Sequence, residues 1–397
     1  MSLADASGER AFLVLERNDY ASSTTTYDGS AGAARVDLSR DVVYIGPFEE
    51  QAHVENPAAG PARVRVVIPT RPFRLEPVFV GLARDADDEP WQHHRYLAEH
   101  VTPRYPRAIV FNSNGVDANR ISTGAKDDMD FAEVERQLAV ARQLGVETFV
   151  LDDGWQARSG DWCPDSPECP EPRWDGTATS KFKPRFPDAS FTAVGAKLAE
   201  GVEKLRLGLW MSPMHFHPSS TAFQSNPQWA CLPVSLGLVA ANVADPGSSS
   251  NEAGIGTWNP EAIGTDGTRL IDYIEGRIRR AIDEWGVQYF KFDFLVWLDC
   301  AGLEPVDIYA YRESFLAMLD RLIAAHPEVT FQIDETNDYR FFPFESVARG
   351  PSWYQNGSPR PNEALHSAWI LAPFVPPSSL GKSALAHWKD PDQPELE

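Results

Sequence analysis

The chain has 397 residues, 43% of them hydrophobic and 23% charged, enough apolar material for one large domain and a smaller one. Its net charge of −21 disfavours nucleic acid and anionic membrane, both of which attract basic surfaces. No apolar run reaches the roughly 18–20 residues of a membrane span, and the N-terminus MSLADASGER lacks a basic-then-apolar signal pattern, so a cytoplasmic protein is expected.

Residues 1–103 alternate short β-type runs (AFLVLE, ARVDLSRDVVYIGPF, ARVRVVIP, EPVFVGLA) with Gly, Pro and Asp breaks, and are expected to form an N-terminal β-rich domain. The texture changes near residue 106. RAIVFN (107–112) reads as a short strand, and DFAEVERQLAVARQLG (130–145) has helical periodicity that stops at Gly145. VETFVLDD (146–153) is a strand again. A long irregular loop follows, then a helix near 190–204, the strand LRLGLWMSP (205–213), a helix over 267–286, the strand QYFKFDF (288–294), a helix over 307–326 and the strand VTFQIDE (329–335).

Strand–helix–strand alternation with near-continuous apolar strands implies parallel strands covered by helices. Several strands end in polar residues: Asn112, Asp152 with Asp153, Trp210, Asp293, and Asp334 with Glu335. The C-terminal strand ends of a (β/α)₈ barrel carry its active site. No glycine-rich phosphate turn follows the first strand, as a doubly wound sheet would require. The expected fold is therefore α/β, a (β/α)₈ TIM barrel over residues 104–397.

VQYFKFDFLVW (287–297) sets Lys291 and Asp293 two residues apart at the end of a buried strand. On a period-2 strand they share a face, where the lysine favours the ionised carboxylate. Such a carboxylate can serve as nucleophile or base, or the pair can simply cap a barrel layer. In FVLDDGWQ (149–156), adjacent acids cannot both face one way, so one orients the other or holds backbone. Trp155, and Trp162 in SGDW, place aromatic surface beside these acceptors, a way to grip sugar hydroxyls; packing is the plainer use of each indole. Cys163 and Cys169 flank the proline-rich CPDSPECP and either pair or stand as two thiols. No cysteine spacing resembles a zinc site, and His215 and His217 have no third ligand nearby in sequence, so neither metal nor cofactor is expected.

Taken together, FVLDDGWQARSGDW, LRLGLWMSPM, SNPQW (225–229) and QYFKFDF resemble the α-galactosidases of glycoside hydrolase family 36 and their clan relatives, in order and spacing over roughly residues 105–380. VVYIGPFEE (42–50) resembles the end of the β-supersandwich that precedes the family's barrel, so residues 1–103 would be part of that sandwich. The resemblance implies a retaining α-glycosidase with a carbohydrate substrate. Asp293 would be its nucleophile. Lys291 would contact the sugar and keep Asp293 ionised, Asp152 and Asp153 would bind ring hydroxyls, and Trp162 would wall the pocket. A second carboxyl about 5–5.5 Å from the nucleophile would act as acid and then base.

The sequence departs from the family at that second carboxyl. Arg340 and Trp353 keep the family's interval, and FVPPSSLG (374–381) matches a family segment, but Asn356 then occupies the acid/base position; a shifted register puts Ser352 there. Three explanations stay open: Asn356 replaces a native aspartate so as to trap substrate, another acid (Glu345, Glu335 or Asp338) serves, or the chain binds or transfers sugar with impaired hydrolysis. The family's cysteine- and glycine-rich strand end is replaced by IDETND (333–338). Asp334 and Glu335 would crowd one side of the ring, so plain α-galactoside is not expected to be the best substrate. Homo-oligomers are common in that family, although no interface signature is visible. The chain ends soon after a seventh strand, so an eighth is expected to be supplied from elsewhere.

Overall fold

The computed structural model describes residues 2–4, 10–15, 34–37, 42–45, 48–50, 64–66, 78–101, 109–113, 130–169, 185–201, 204–213, 215–216, 220–230, 256–257, 259, 262–293, 305–334 and 348–353. In the strands before residue 81, and at 215, 256–257, 305–312, 334 and 352–353, the description is of the backbone.

The N-terminal strands pair antiparallel, as their short alternating runs predict. β1 (Ser2–Ala4), β2 (Arg10–Leu15) and β7 (Val78–Ala83) form one sheet; β3 (Ala34–Asp37) pairs with β4 (Val42–Ile45), and β5 (Phe48–Glu50) with β6 (Val64–Val66). Helix α1 (Asp88–Tyr96) follows β7 and runs into a π-helical turn over Leu97–Val101.

The second part is a parallel sheet of six strands: β8 (Val110–Asn112), β9 (Thr148–Leu151), β10 (Arg206–Met211), β13 (Val287–Phe292), β14 (Thr330–Asp334) and β15 (Ser352–Trp353). A short antiparallel pair, β11 (His215–Phe216) with β12 (Gly256–Thr257), stands apart from it. Along the parallel sheet the strands advance in chain order, each hydrogen-bonded to the next. A sheet that never reverses order has no switch point. That separates it from a doubly wound fold and makes it the described part of a barrel wall.

The helices form where the apolar period predicts. Asp130 caps α2 (Phe131–Gln143) by accepting from the Glu133 N–H at 2.8 Å, and the helix gives way to Gly145 at φ 66°. α3 (Thr192–Leu198) is shorter than the expected 190–204, because the chain turns at Gly201 with φ 90°. The five-residue α4 (Thr221–Ser225) is capped by Ser220. α5 (Leu270–Trp285) buries Leu270, Ile274, Ile278, Ala281 and Trp285, a stripe at helical spacing, and ends on Gly286 in the left-handed conformation. α6 (Pro305–Ala325) leads to β14. Among the described residues no helix is long and apolar enough to cross a membrane.

Strand alternation sorts the side chains into two sets. Phe149, Leu151, Leu207, Leu209, Met211, Phe290, Phe292, Phe331 and Ile333 join the apolar stripes of α2, α3, α5 and α6 in one core. The other face holds successive layers. Val150, Gly208, Tyr289 and Thr330 are level with one another. One pleat further on, Trp210, Lys291 and Gln332 are level, and Asp152 follows Leu151 to the same height. Gly208 is required by the lower layer, since a Cβ there would lie 2.7 Å from Val150 Cγ2 and 3.2 Å from Tyr289 Cβ. The layers change from apolar to charged toward the strands' C-terminal ends.

An ion cluster ties α5 to α6. Arg321 donates to Glu275 Oε2 from Nε at 2.9 Å and Nη2 at 2.6 Å, and Arg279 donates to Oε1 at 3.0 and 2.8 Å. Burial alone would raise the Glu275 pKa, but the bonds from Arg321 and Arg279 outweigh it and hold the carboxyl below its ordinary value. A lowered folded pKa gives stability that is complete above the unfolded value and lost as pH falls through the folded one. Glu275→Gln is therefore expected to cost about 1 kcal/mol near pH 7, limited by the solvent exposure of Arg321. Urea denaturation should show this difference closing as pH falls below the ordinary carboxylate range and through the lowered folded value, where the wild-type carboxyl also becomes neutral.

Candidate active site

The carboxylates expected at the site come from strands far apart in sequence. Asp293 directly follows β13, with its N–H donating to the Met211 carbonyl at 2.9 Å, so the sheet ladder fixes its backbone. Its side chain is fixed by the indole of Trp210, whose Nε1 donates to Asp293 Oδ2 at 2.8 Å. Trp210 is positioned in turn by Trp155, whose Nε1 donates to the Trp210 carbonyl at 2.7 Å. All three residues are buried, Asp293 keeping only 5% exposure at the end of its strand. A charge-bearing oxygen held by a neutral donor on a rigid strand is a preorganised acceptor.

Lys291 was expected beside Asp293. Its ammonium donates to Asp152 Oδ2 at 2.7 Å, forming an ion pair across the sheet in which the side chains are 3% and 5% exposed. Asp152 Oδ1 accepts the Asp153 N–H at 2.8 Å, and the Asp152 N–H donates to Ser113 Oγ at 2.8 Å. Gln156 Nε2 then holds Asp153 Oδ1 at 2.7 Å. The two adjacent acids thus divide their work. Asp152 fixes backbone and lysine, while Asp153 is aimed by Gln156 across a turn that Gly154 makes at φ 116°.

The loop after this turn brings in Trp162. Gln156 pairs with Pro164, the Ala157 N–H donates to the Cys163 carbonyl at 2.8 Å, and the Asp165 N–H donates to the Trp155 carbonyl at 2.9 Å. Arg185 bridges the loop's two ends through the Gly154 carbonyl and Asp165 Oδ2. Asp161, fully buried, accepts the Ala222 and Thr221 N–H groups at 2.9 and 3.1 Å, which ties the loop to the start of α4. Trp162 packs against Trp155 and Trp210, with ring centroids 6.3 and 6.2 Å apart. Its backbone is left-handed at φ 50°, which costs a non-glycine residue on the order of 1 kcal/mol and persists only where the surroundings impose it. Cys163 and Cys169 form a disulfide with Cα atoms 6.0 Å apart, which resolves the alternative left open by the sequence.

The structure therefore gathers Asp152, Asp153, Trp162, Lys291 and Asp293 at one end of the parallel strands. Asp334 ends β14 in register with Trp353, its side chain outside the description. Glu335, Asp338, Arg340, Glu345 and Asn356 lie outside the described residues, as do His217 and the side chain of Ser352. Among the described residues no cluster of three His, Cys, Asp or Glu side chains could hold a metal ion. Trp210, Gln156, Ser113 and Asp161 were not identified from the sequence as site residues. Trp210 had a signal, an indole N–H at a strand end, and Gln156 follows Asp153 by three residues; the other two had none.

Comparison with known proteins places the chain in a family. The melibiase family model matches residues 122–341, more than half of the chain and the stretch from before β9 to beyond β14. The chain belongs to the melibiase family. Among curated proteins, this melibiase-family chain is 25% identical over 308 residues to the alpha-galactosidase of Escherichia coli, covering 73% of this chain and 36% of that protein. It is 24% identical over 210 residues to alpha-galactosidase 2 of Hypocrea jecorina, covering 50% and 24% respectively. It thus spans between a quarter and about a third of the length of these relatives. Among solved structures, the GH36 alpha-galactosidase AgaB of Geobacillus stearothermophilus aligns over 96% of this chain and 47% of its own, with a TM-score of 0.60 and 15% identity. TtGalA, an alpha-galactosidase from Thermus thermophilus in complex with stachyose, aligns over 95% and 68%, with a TM-score of 0.50 and 17% identity. At these identities the structural likeness carries the fold, a GH36-type TIM barrel.

Proposed function

We propose that this chain carries the barrel of a retaining α-glycosidase, α-galactosidase-like, with Asp293 as nucleophile. The observation that carries the reading is the setting of Asp293: a buried carboxylate at a strand's C-terminal end, gripped by the Trp210 indole at 2.8 Å beside the Lys291–Asp152 pair. The barrel occupies residues 104–397 and closes with eight strands; residues 1–103 are part of a β-sandwich that precedes it. The substrate is a terminal α-linked sugar, in keeping with the relatives named alpha-galactosidases. Asp334 and Glu335 shift preference away from plain α-galactoside.

In the reaction a carboxylate oxygen of Asp293 attacks the anomeric carbon as the glycosidic C–O bond breaks, and the leaving oxygen takes a proton from an acid. Water then displaces Asp293 from the glycosyl ester and gives a proton back to that group. Asp153 and Lys291 hold sugar hydroxyls, and Arg340 contributes from beyond β14. A specific observation favours a second reading. Asn356 stands where the acid is expected and cannot donate as a carboxylic acid. The chain is then a carbohydrate-binding barrel, or a transglycosidase, that cleaves poorly.

Rates on a panel of aryl and alkyl α-glycosides test both. The main reading expects cleavage of α- but not β-glycosides, with the α-anomer appearing first by NMR. With the acid missing, rates should fall steeply as the leaving group becomes more basic, because only good leaving groups depart unprotonated. Absence of turnover with every activated α-glycoside, together with measurable sugar binding, would favour the binding barrel. Release of the β-anomer would exclude the retaining mechanism.

A further inference from the structure

We propose that the Cys163–Cys169 disulfide is a positioning element of the candidate active site, and that reduction by a dithiol slows turnover by releasing Trp162. The activity readout rests on the glycosidase reading; the structural readout does not.

The argument starts from the left-handed backbone of Trp162 at φ 50°. A bulky residue relaxes out of that region unless restraints on both sides forbid it. Before it, Asp161 is tied to the Thr221 and Ala222 N–H groups. After it stands Cys163, cross-linked to Cys169. The residues that follow Trp162 are also held by backbone bonds, Ala157 to Cys163 and Asp165 to Trp155, and by Arg185 on Asp165, and the cross-link closes this loop on its far side. Cys163 and Cys169 pack with Ala157 in a small cluster separate from the main core.

The consequence reaches the chemistry in two contacts. Trp162 packs on Trp210, and Trp210 Nε1 holds Asp293 Oδ2. If Trp162 leaves its place, Trp210 loses one wall and Asp293 its fixed donor. A dithiol reduces the bond by two exchanges: one of its thiolates attacks a cysteine sulfur and expels the other cysteine as thiolate, and its second thiolate then resolves the mixed disulfide. Two electrons and two protons pass to Cys163 and Cys169, and the reductant leaves as its cyclic disulfide. Oxidised dithiol reverses the step. The six parallel strands and their helices carry no part of this cross-link, so the rest of the fold survives its loss.

The test compares oxidised protein, protein incubated with dithiothreitol until alkylation and mass measurement show both thiols, and a Cys163→Ser/Cys169→Ser double variant. Hydrogen exchange and kcat/KM on an aryl α-glycoside are measured for each. The expected result is faster exchange at the Ala157 and Asp165 amides with α5 unchanged, and a fall in kcat/KM of about tenfold or more. Reoxidation should restore the wild type, while the double variant should be low and indifferent to dithiothreitol. Unchanged exchange over 155–165, or faster exchange with unchanged kcat/KM, would overturn the proposal. So would exchange that rises across α5 as well, since that is unfolding. If no form turns over any substrate, the glycosidase reading fails; local acceleration of exchange then still supports the proposal, and its absence overturns it.

Discussion

Asp293→Asn is expected to leave the fold intact and to remove turnover. The amide keeps the shape of the carboxylate and an oxygen that accepts from Trp210 Nε1, so thermal stability should stay within about 0.5 kcal/mol of wild type. The amide oxygen is a far weaker nucleophile than a carboxylate oxygen, and the glycosyl ester cannot form. By the scale seen when other enzymes lose a nucleophile, kcat should fall by about 10⁴-fold or more, equivalent to roughly 5.5 kcal/mol of barrier. Asp293→Ala separates the two roles of the residue. It also removes the acceptor and leaves the buried Trp210 N–H unsatisfied, which adds a stability loss of about 1–3 kcal/mol. Initial rates on an aryl α-glycoside, with denaturation of each variant, check both statements. Substantial turnover by Asp293→Asn would show that the nucleophile lies elsewhere.

Lys291→Met should have the largest effect on stability. The lysine and Asp152 are both buried and 2.7 Å apart. Removing the ammonium leaves an uncompensated buried carboxylate, which costs about 3–5 kcal/mol. The damage should not stop there, because Asp152 Oδ1 also fixes the Asp153 N–H, and Asp153 faces the sugar in the proposed reaction. Substrate binding should weaken together with stability. Pairing Lys291→Met with Asp152→Asn removes the orphaned charge, so the double variant should recover part of the loss. A double-mutant cycle in urea denaturation measures the coupling. Losses that simply add would mean that the ion pair contributes nothing of its own.

The period-2 and 3.6 patterns carried the architecture because they report which face is buried, and burial is local information. Apolar runs ending in Asp152, Asp293 and Asp334 marked strand ends, and α2 and α5 fell within a few residues of their expected bounds. The chemistry was legible as residue types at strand ends but not as pairings. Lys291 and Asp293 are two residues apart, so the sequence paired them. The structure also gives Lys291 a hydrogen bond to Asp152, 139 residues away, which was hidden in the sequence because strand order in the sheet sets such neighbours. The grip of Trp210 on Asp293 spans 83 residues and was hidden for the same reason. The Cys163–Cys169 pairing was undecided because spacing alone permits a bond without requiring it. The roles expected of Glu335, Arg340 and Asn356 rest on sequence resemblance.

The most direct measurement of the central claim is peptide mapping of the covalent intermediate. Protein is mixed with dinitrophenyl α-galactoside and other activated α-glycosides, quenched in acid, digested and analysed by mass spectrometry. The account predicts one added sugar on the peptide that contains Asp293, and no such adduct on Asp293→Asn. An adduct on a different carboxylate, or rapid turnover that persists in Asp293→Asn, would contradict it.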